Sequence, residues 1–453
     1  MVNLYEHQRI PKRLLNSTWH SPTFVEDLNS FLQANWNQRK AFYDDYSLSG
    51  KQKFLDLSRI NDIGATNYIG TISFKGETIN VFPKVFRLDE YDNYSNDEWK
   101  IEDLINNLIL WMSYSDKLNF PFIEMKSSET SIDNLLELFI TIYVNYVKNA
   151  INKAPFYRYE EKTEDTKTIK GKINITDYAR NKIPYGNNDI FQCTYSSFEY
   201  DNLLNRIIKD TCRLLLRLAN SQQNQAVLRK ILYKLADVSD VKCSPYDCDK
   251  IHLNKLQRQY ISILGMSKMF LMNKEASFNS GFTDSFCFMF PAEILFESFV
   301  AGFMKEQFSD VATVRSQTTE TSLAEAFLNG ESLGEAFNLR EDILVEKDSS
   351  IIILDTKYSI IDRFENARTN RTLSIQDDWM KQIAIYCQKR NAIRGVLIFP
   401  LFRKEEPEST QMSYMIRLDD GTEKEIRIIK VPFIFDDVER NKLLLKNIIS
   451  EVL

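Results

Sequence analysis

Ser350-Ile-Ile-Ile-Leu-Asp-Thr-Lys-Tyr358 is the stretch on which the reading of this chain's last third turns. Four consecutive apolar residues are what a strand buried on both faces requires. The run then ends in Asp355 and Lys357, and the period of two along a strand places both on one face. A carboxylate and an ammonium at the end of a buried strand are costly unless they are paired or hold a metal. Twelve residues upstream of Asp355 come between it and Asp342, which opens Asp342-Ile-Leu-Val. That spacing predicts two neighbouring strands, Leu339 to Val345 and Ser350 to Tyr358. Around them, Glu293 to Phe308 reads as a helix with Leu295, Phe296, Phe299, Val300 and Phe303 on its buried side. Asp377 to Arg390 is a second helix and Arg394 to Pro400 a buried strand. Met412 to Pro432 contains a hairpin turning at Asp420-Gly421. Helix, strand, strand, helix, strand is an α/β core with a central mixed sheet.

The pattern has a chemistry. Asp342 and Asp355 supply two hard oxygen ligands, the Thr356 carbonyl a third, and Glu297 on the preceding helix an outer one. Mg²⁺, or Mn²⁺, takes such ligands and Mg²⁺ keeps several waters. A metal so held offsets phosphodiester charge and makes hydroxide from water near neutral pH. Lys357 is then placed to orient or deprotonate the attacking water, or to stabilise the charge of the phosphorane. Asp-x-Lys alone is a common surface pattern. The apolar run before it, the upstream Asp342 and the helix with Glu297 turn the balance towards a nuclease. Gln382 and Tyr386 share a helix face at i and i+4. Alone they describe a helix with a partly buried tyrosine; beside Asp-x-Lys they point at the site. Arg363, Arg368 and Arg371, in the loop after Lys357, either meet phosphates or form a solvated charged loop.

The remainder is organised differently, and the chain as a whole is expected to be a multidomain α+β or α/β protein. Residues 1–100 read as β-rich, with Tyr68–Phe74 and Thr78–Phe82 around a Lys75-Gly76-Glu77 turn and a polar loop over 45–51. Residues 101–275 read as mainly helical. Ile101 to Met112 has helical spacing, and Ile132, Leu135, Leu136, Phe139, Tyr143 and Tyr146 form one apolar helix face. Asp201 to Ala219 is a helix with Leu203, Leu204, Ile207, Ile208, Leu214 and Leu215 inward, and 221–270 continues in helices. Residues 158–168 read as a charged loop and 169–175 as a short strand or extended arm. The helical pattern breaks over 271–280, so 276–453 is taken as the C-terminal domain.

Composition narrows the classes further. Net charge is −6, which is not the balance of a free-standing nucleic-acid binder and asks for local basic residues or a partner that holds DNA. Six scattered cysteines without a CxxC pair read as reduced core thiols, hence a cytoplasmic setting. No apolar run approaches the length of a membrane span. There is no GxxxxGK[ST] loop and no GxGxxG, so no nucleotide is expected on this chain; HExxH and GxSxG are also missing. His7, His20 and His252 all lie outside the C-terminal region, which excludes a histidine-centred nuclease there.

Asp342, Asp355 and Lys357 resemble the core motif of the PD-(D/E)xK nuclease superfamily, with Glu297 as its helix glutamate and Gln382 and Tyr386 as the QxxxY of some branches. Glu341 stands where that motif has proline. The whole chain resembles the McrC family, the nuclease subunits of McrBC-type restriction systems. The likeness is carried by Ile69-Gly-Thr-Ile with Val81-Phe-Pro-Lys84, by Lys170-Gly-Lys-Ile-Asn-Ile with Cys193-Thr-Tyr and Asp201-Asn-Leu-Leu-Asn-Arg206, and by Leu295-Phe-Glu-Ser-Phe-Val300. The resemblance implies an AAA+ GTPase hexamer as partner, which recognises methylated cytosine and moves DNA. It implies a nuclease subunit that docks through residues 1–100, stimulates the GTPase and cuts methylated DNA in the bacterial or archaeal cytoplasm. Two other readings remain at this point: a repair or recombination nuclease without a GTPase, and a non-catalytic adaptor of an AAA+ motor. The cluster Asp201…Asn205-Arg206 reads as a helix cap with polar pairs.

Overall fold

The computed structural model describes residues 1–38, 50–86, 101–115, 135–254, 257–281, 285–402, 412–417 and 421–453. Contacts divide the chain into two units, one of Met1–Leu135 with Phe286–Leu453, the other Leu136–Ser285. It is a mixed α and β protein.

The first unit contains a six-stranded mixed sheet in the order Thr313–Leu328, Glu331–Lys347, Ser350–Thr356, Arg394–Pro400, Glu423–Val431, Met412–Arg417. Ser350–Thr356 is a central strand, antiparallel to Glu331–Lys347 and parallel to Arg394–Pro400. Its run Ile352 to Leu354 is buried, as are Ile343 to Val345 and Val396 to Phe399 beside it. The helix Ala292–Phe308 buries Phe296 and Phe299 against Phe433, which stacks on Trp111 at 3.8 Å between ring centroids. The helix Asp377–Lys389 packs on Arg394–Pro400 at Gly395, where a Cβ would come within 2.9 Å of Cys387 Sγ and Ile383.

Two features of this sheet depart from the sequence reading. The strand expected at Leu339 to Val345 is the end of a 17-residue strand, Glu331–Lys347. It pairs along nearly its whole length with Thr313–Leu328, which was not expected as a strand. That partner is polar and largely exposed, so it shows no apolar alternation. Its signal is Asn329-Gly330, both at positive φ (52° and 89°), the turn that joins two-residue hairpins.

The same unit holds a four-stranded sheet, Val2–Tyr5, Glu77–Phe82, Tyr68–Phe74 and Phe286–Pro291. Its closing strand comes from nearly 300 residues along the chain. Gly70 has φ 139° and a Cβ on it would stand 2.0 Å from the Phe288 carbonyl oxygen, so the Ile69-Gly-Thr-Ile stretch needs glycine to pair there. The N-terminal region is less uniformly β than expected. Pro22–Gln38 is a helix burying Phe24, Leu28, Phe31, Leu32 and Trp36, whose spacing of four, three, one and four is helical.

The second unit packs the helices Leu203–Leu218, Gln222–Lys234 and Arg258–Ser280 with most of Leu135–Lys153. Leu136, Phe139 and Tyr143 are buried as one face, while Ile132 lies outside the described residues. The charged stretch expected as a loop is a strand, Arg158–Thr166, in a three-stranded sheet with Phe191–Glu199 and Lys172–Ile173. Backbone pairing to Phe191–Glu199 forms it despite exposed side chains on both faces. The helix Arg258–Ser280 continues through the expected break at 271–280. Asn202 caps Leu203–Leu218 through its side chain and Arg206 pairs with Asp201 at 2.7 Å. All six cysteines are buried. Among the described residues no helix is long and apolar enough to cross a membrane. Asp420 and most of the loop at 45–51 lie outside the described residues.

Candidate active site

The ends of the two central strands deliver the carboxylates. Asp355 is 1% exposed. Its Oδ2 lies 2.6 Å from Lys357 Nζ, yet neither of its oxygens accepts a hydrogen bond of good geometry. Across the strand pair, Asp342 Oδ2 accepts from the Thr356 backbone N–H at 2.8 Å and from Thr356 Oγ1 at 2.9 Å. Burial pushes the carboxyl of Asp355 well up, and the negative charge of Asp342 adds to it. Burial raises Asp342 as well, against the opposing pull of the Thr356 hydrogen bonds and Lys357. A buried acid without a hydrogen bond of good geometry, beside a half-buried one, is a costly arrangement that a cation relieves.

Above them opens a cavity of about 560 Å³, lined by Glu293, Glu297, Gln317, Arg340, Asp342, Thr356, Lys357, Trp379, Gln382 and Tyr386 among others. Lys357 Nζ donates to Gln382 Oε1 at 3.1 Å, Gln382 Nε2 to the Tyr386 hydroxyl at 2.8 Å, and that hydroxyl to the Arg340 carbonyl at 3.0 Å. The chain of donors has one consistent direction. It ties the lysine to the strand that carries Asp342.

Glu297 reaches the cavity from its helix and accepts from Gln317 Nε2 at 2.6 Å. Gln317 Oε1 in turn accepts from Arg340 Nη2 at 2.8 Å. Glu341, in the place of the motif's proline, is fully buried. Arg390 grips it with two hydrogen bonds of 2.8 and 3.2 Å, and Thr318 Oγ1 donates to it at 2.6 Å. An ion pair thus fixes the strand beside Asp342.

Behind the site, Tyr358, two residues past the strand Ser350–Thr356, reaches Glu6, the residue after the strand Val2–Tyr5. Its hydroxyl donates to Glu6 Oε2 at 2.8 Å, and the Lys84 N–H donates to the same oxygen at 2.9 Å. Lys84 Nζ donates to the Tyr358 carbonyl at 3.1 Å. Glu6 is fully buried, which pushes its carboxyl up to about 7.

Among the described residues no three His, Cys, Asp or Glu side chains gather closely enough to form a complete metal cage. Two converging carboxylates with open cavity beside them fit Mg²⁺, which binds through one or two carboxylates and keeps several waters. The site therefore brings Asp342, Asp355, Thr356, Lys357, Glu297, Gln382 and Tyr386 together. It does not bring in Arg363, Arg368 or Arg371, which are exposed and absent from the cavity lining. Sequence reasoning missed Gln317, Arg340, Arg390 and Glu6. Arg340 was within reach, since it stands two residues from Asp342 on a strand and so shares its face. Gln317 carried no signal, because its strand has no apolar pattern.

The model of one family, described as McrBC 5-methylcytosine restriction system component, matches residues 63–400. No curated protein matches the chain. Among solved structures, a half-complex from a tetradecameric assembly of Thermococcus gammatolerans McrB AAA+ hexamers with bound McrC is similar at 16% identity and TM-score 0.69, over 100% of both chains. The Thermococcus gammatolerans McrBC complex is similar at 18% identity and TM-score 0.50, over 67% of this chain and 86% of that one.

Proposed function

The chain belongs to the family of McrBC 5-methylcytosine restriction system components, and from that premise we propose that it is the subunit that cuts: a metal-dependent endonuclease acting on methylated DNA, with an AAA+ GTPase as partner. The observation that carries the reading is the buried Asp355 with Lys357 at 2.6 Å, beside the half-buried Asp342, which together with Lys357 lines a polar cavity. Asp342 and Asp355 would hold Mg²⁺ or Mn²⁺, with the Thr356 carbonyl as a further oxygen and Glu297 as an outer partner through the metal's waters. When bound, the metal supplies Lewis acidity and a nucleophilic water. Lys357, tethered by Gln382 and Tyr386, keeps its ammonium where the attacked phosphate gathers charge. Trp379 and Tyr386 add aromatic surface to the cavity lining. The net charge of −6 agrees with a partner that gathers and moves the DNA. The solved relative, whose McrC is bound to McrB AAA+ hexamers, supports a hexameric GTPase as that partner, and docking through residues 1–100 is part of the proposal.

The test mixes the chain with its AAA+ partner, GTP, Mg²⁺ and methylated plasmid, and compares wild type with Asp355→Ala and Lys357→Ala. The expected result is cutting by wild type alone, with GTP hydrolysis stimulated by all three. Cutting by the variants at the wild-type rate would make Asp355 and Lys357 structural charges and the chain an adaptor.

A further inference from the structure

Arg340 is half-buried in a cavity whose lining includes Glu293, Glu297 and Asp342, yet it forms no ion pair among the described residues. Its guanidinium is held instead by a neutral group, the Gln317 side-chain oxygen at 2.8 Å. The other end of the same amide donates to Glu297 at 2.6 Å. Gln317 is therefore a spacer: its amide satisfies the cation and the anion separately. It does so from a strained backbone, φ 52° in the left-handed region, a conformation that non-glycine residues disfavour. Strain of this kind persists where the surrounding structure imposes it, and it gathers at functional sites.

A guanidinium presents several N–H donors in a planar fork and remains charged at every working pH. In a cavity lined by the half-buried Asp342 and next to the buried Asp355, the group that such a fork fits is a phosphate. Building on the nuclease reading, we propose that Arg340 binds a non-bridging oxygen of the DNA phosphate to be cut, and that Gln317 positions it by keeping it from pairing with Glu297. The division leaves the carboxylates to the metal and the arginine to the substrate. Lys357, already paired with Asp355, is then not the cavity's sole contact for phosphate charge.

The experiment uses the full chain with its AAA+ partner, a fluorescent methylated duplex and Ca²⁺ in place of Mg²⁺, so that binding is read without turnover. Affinity is followed across a NaCl series for wild type, Arg340→Gln and Arg340→Lys. Loss of one phosphate contact lowers the slope of log affinity against log salt by about 1. The expected result is that slope change in Arg340→Gln, with about tenfold weaker binding at low salt, and a slope restored by Arg340→Lys. In a second arm with Mg²⁺, cutting by Arg340→Ala should be restored saturably by added guanidinium, which a purely structural arginine would not show. An unchanged slope and no rescue, while wild type cuts, would overturn the role of Arg340 alone. Absence of cutting by wild type would overturn the nuclease reading instead.

Discussion

Glu6 and Asp355 are both buried carboxylates with raised pKa values, in the same structural unit and each beside a lysine. Their surroundings differ. Glu6 Oε2 accepts from the Lys84 N–H and the Tyr358 hydroxyl. Asp355 accepts no hydrogen bond, and its nearest companions are Lys357 and a second acid, Asp342. Burial alone therefore does not mark a functional acid. The separating feature is what the fold provides for the charge. One oxygen of Glu6 is met by two fixed donors, from Lys84 and Tyr358, although its Oε1 has none, and Glu6 so serves architecture. Asp355 has no such donors, and its neighbour Asp342 lines a cavity.

The largest expected difference is in catalysis. On the proposed metal site, Asp355→Ala would remove a ligand of a metal worth several kcal/mol in the transition state, so plasmid cutting should fall on the order of 10³-fold. Its thermal melting point should stay level or rise, because a buried acid beside another acid is removed. Glu6→Ala should do the reverse, lowering the melting point while sparing the metal. A cutting assay run beside a thermal melt reads both halves. A large loss of stability in Asp355→Ala would place it with Glu6.

A smaller effect tests the tether. Gln382→Ala frees Lys357 Nζ from its 3.1 Å contact. Partners of this kind, one step from the metal ligands, typically cost about 10–100-fold when lost. Single-turnover cutting should fall by that factor, with DNA affinity unchanged. Equal loss in affinity and rate would assign Gln382 to DNA binding.

The smallest effect concerns pH. Glu6 carries a folded-state pKa of about 7 against an unfolded 4.5. Below the unfolded value both states are protonated and there is no penalty. As pH rises towards 7 the unfolded chain ionises first, so native stability falls across that window and levels off above it. Glu6→Gln should remove part of this decline. Urea midpoints between pH 5 and 8 should converge for the two proteins at the acid end and separate towards neutrality. Parallel curves would mean that Glu6 ionises at its ordinary value when buried.

How legible this was in the sequence follows from the same contrast. The strand Ser350–Thr356 announced itself because a buried run ending in charges has few explanations; Asp342 was read on a neighbouring strand and Gln382 and Tyr386 as one helix face, while Glu297 was chosen for its place on the preceding helix and for the resemblance. The long hairpin was not legible from periodicity. Thr313–Leu328 is held by backbone pairing and buries little, so its side chains carry no pattern; only Asn329-Gly330 marks it. The same holds for Arg158–Thr166, read as a charged loop. The joining of Phe286–Pro291 to the N-terminal sheet was out of reach, because a contact across more than 200 residues leaves no local trace. Gly70 was visible, but its reason, the Phe288 carbonyl, was not.

The most direct measurement is Mn²⁺ binding to the chain by electron paramagnetic resonance, comparing wild type, Asp355→Ala and Glu6→Gln. A cation site built by Asp342 and Asp355 predicts bound Mn²⁺ in wild type and in Glu6→Gln, and loss of that signal in Asp355→Ala. Equal binding in all three proteins would contradict it and put the metal elsewhere in the chain.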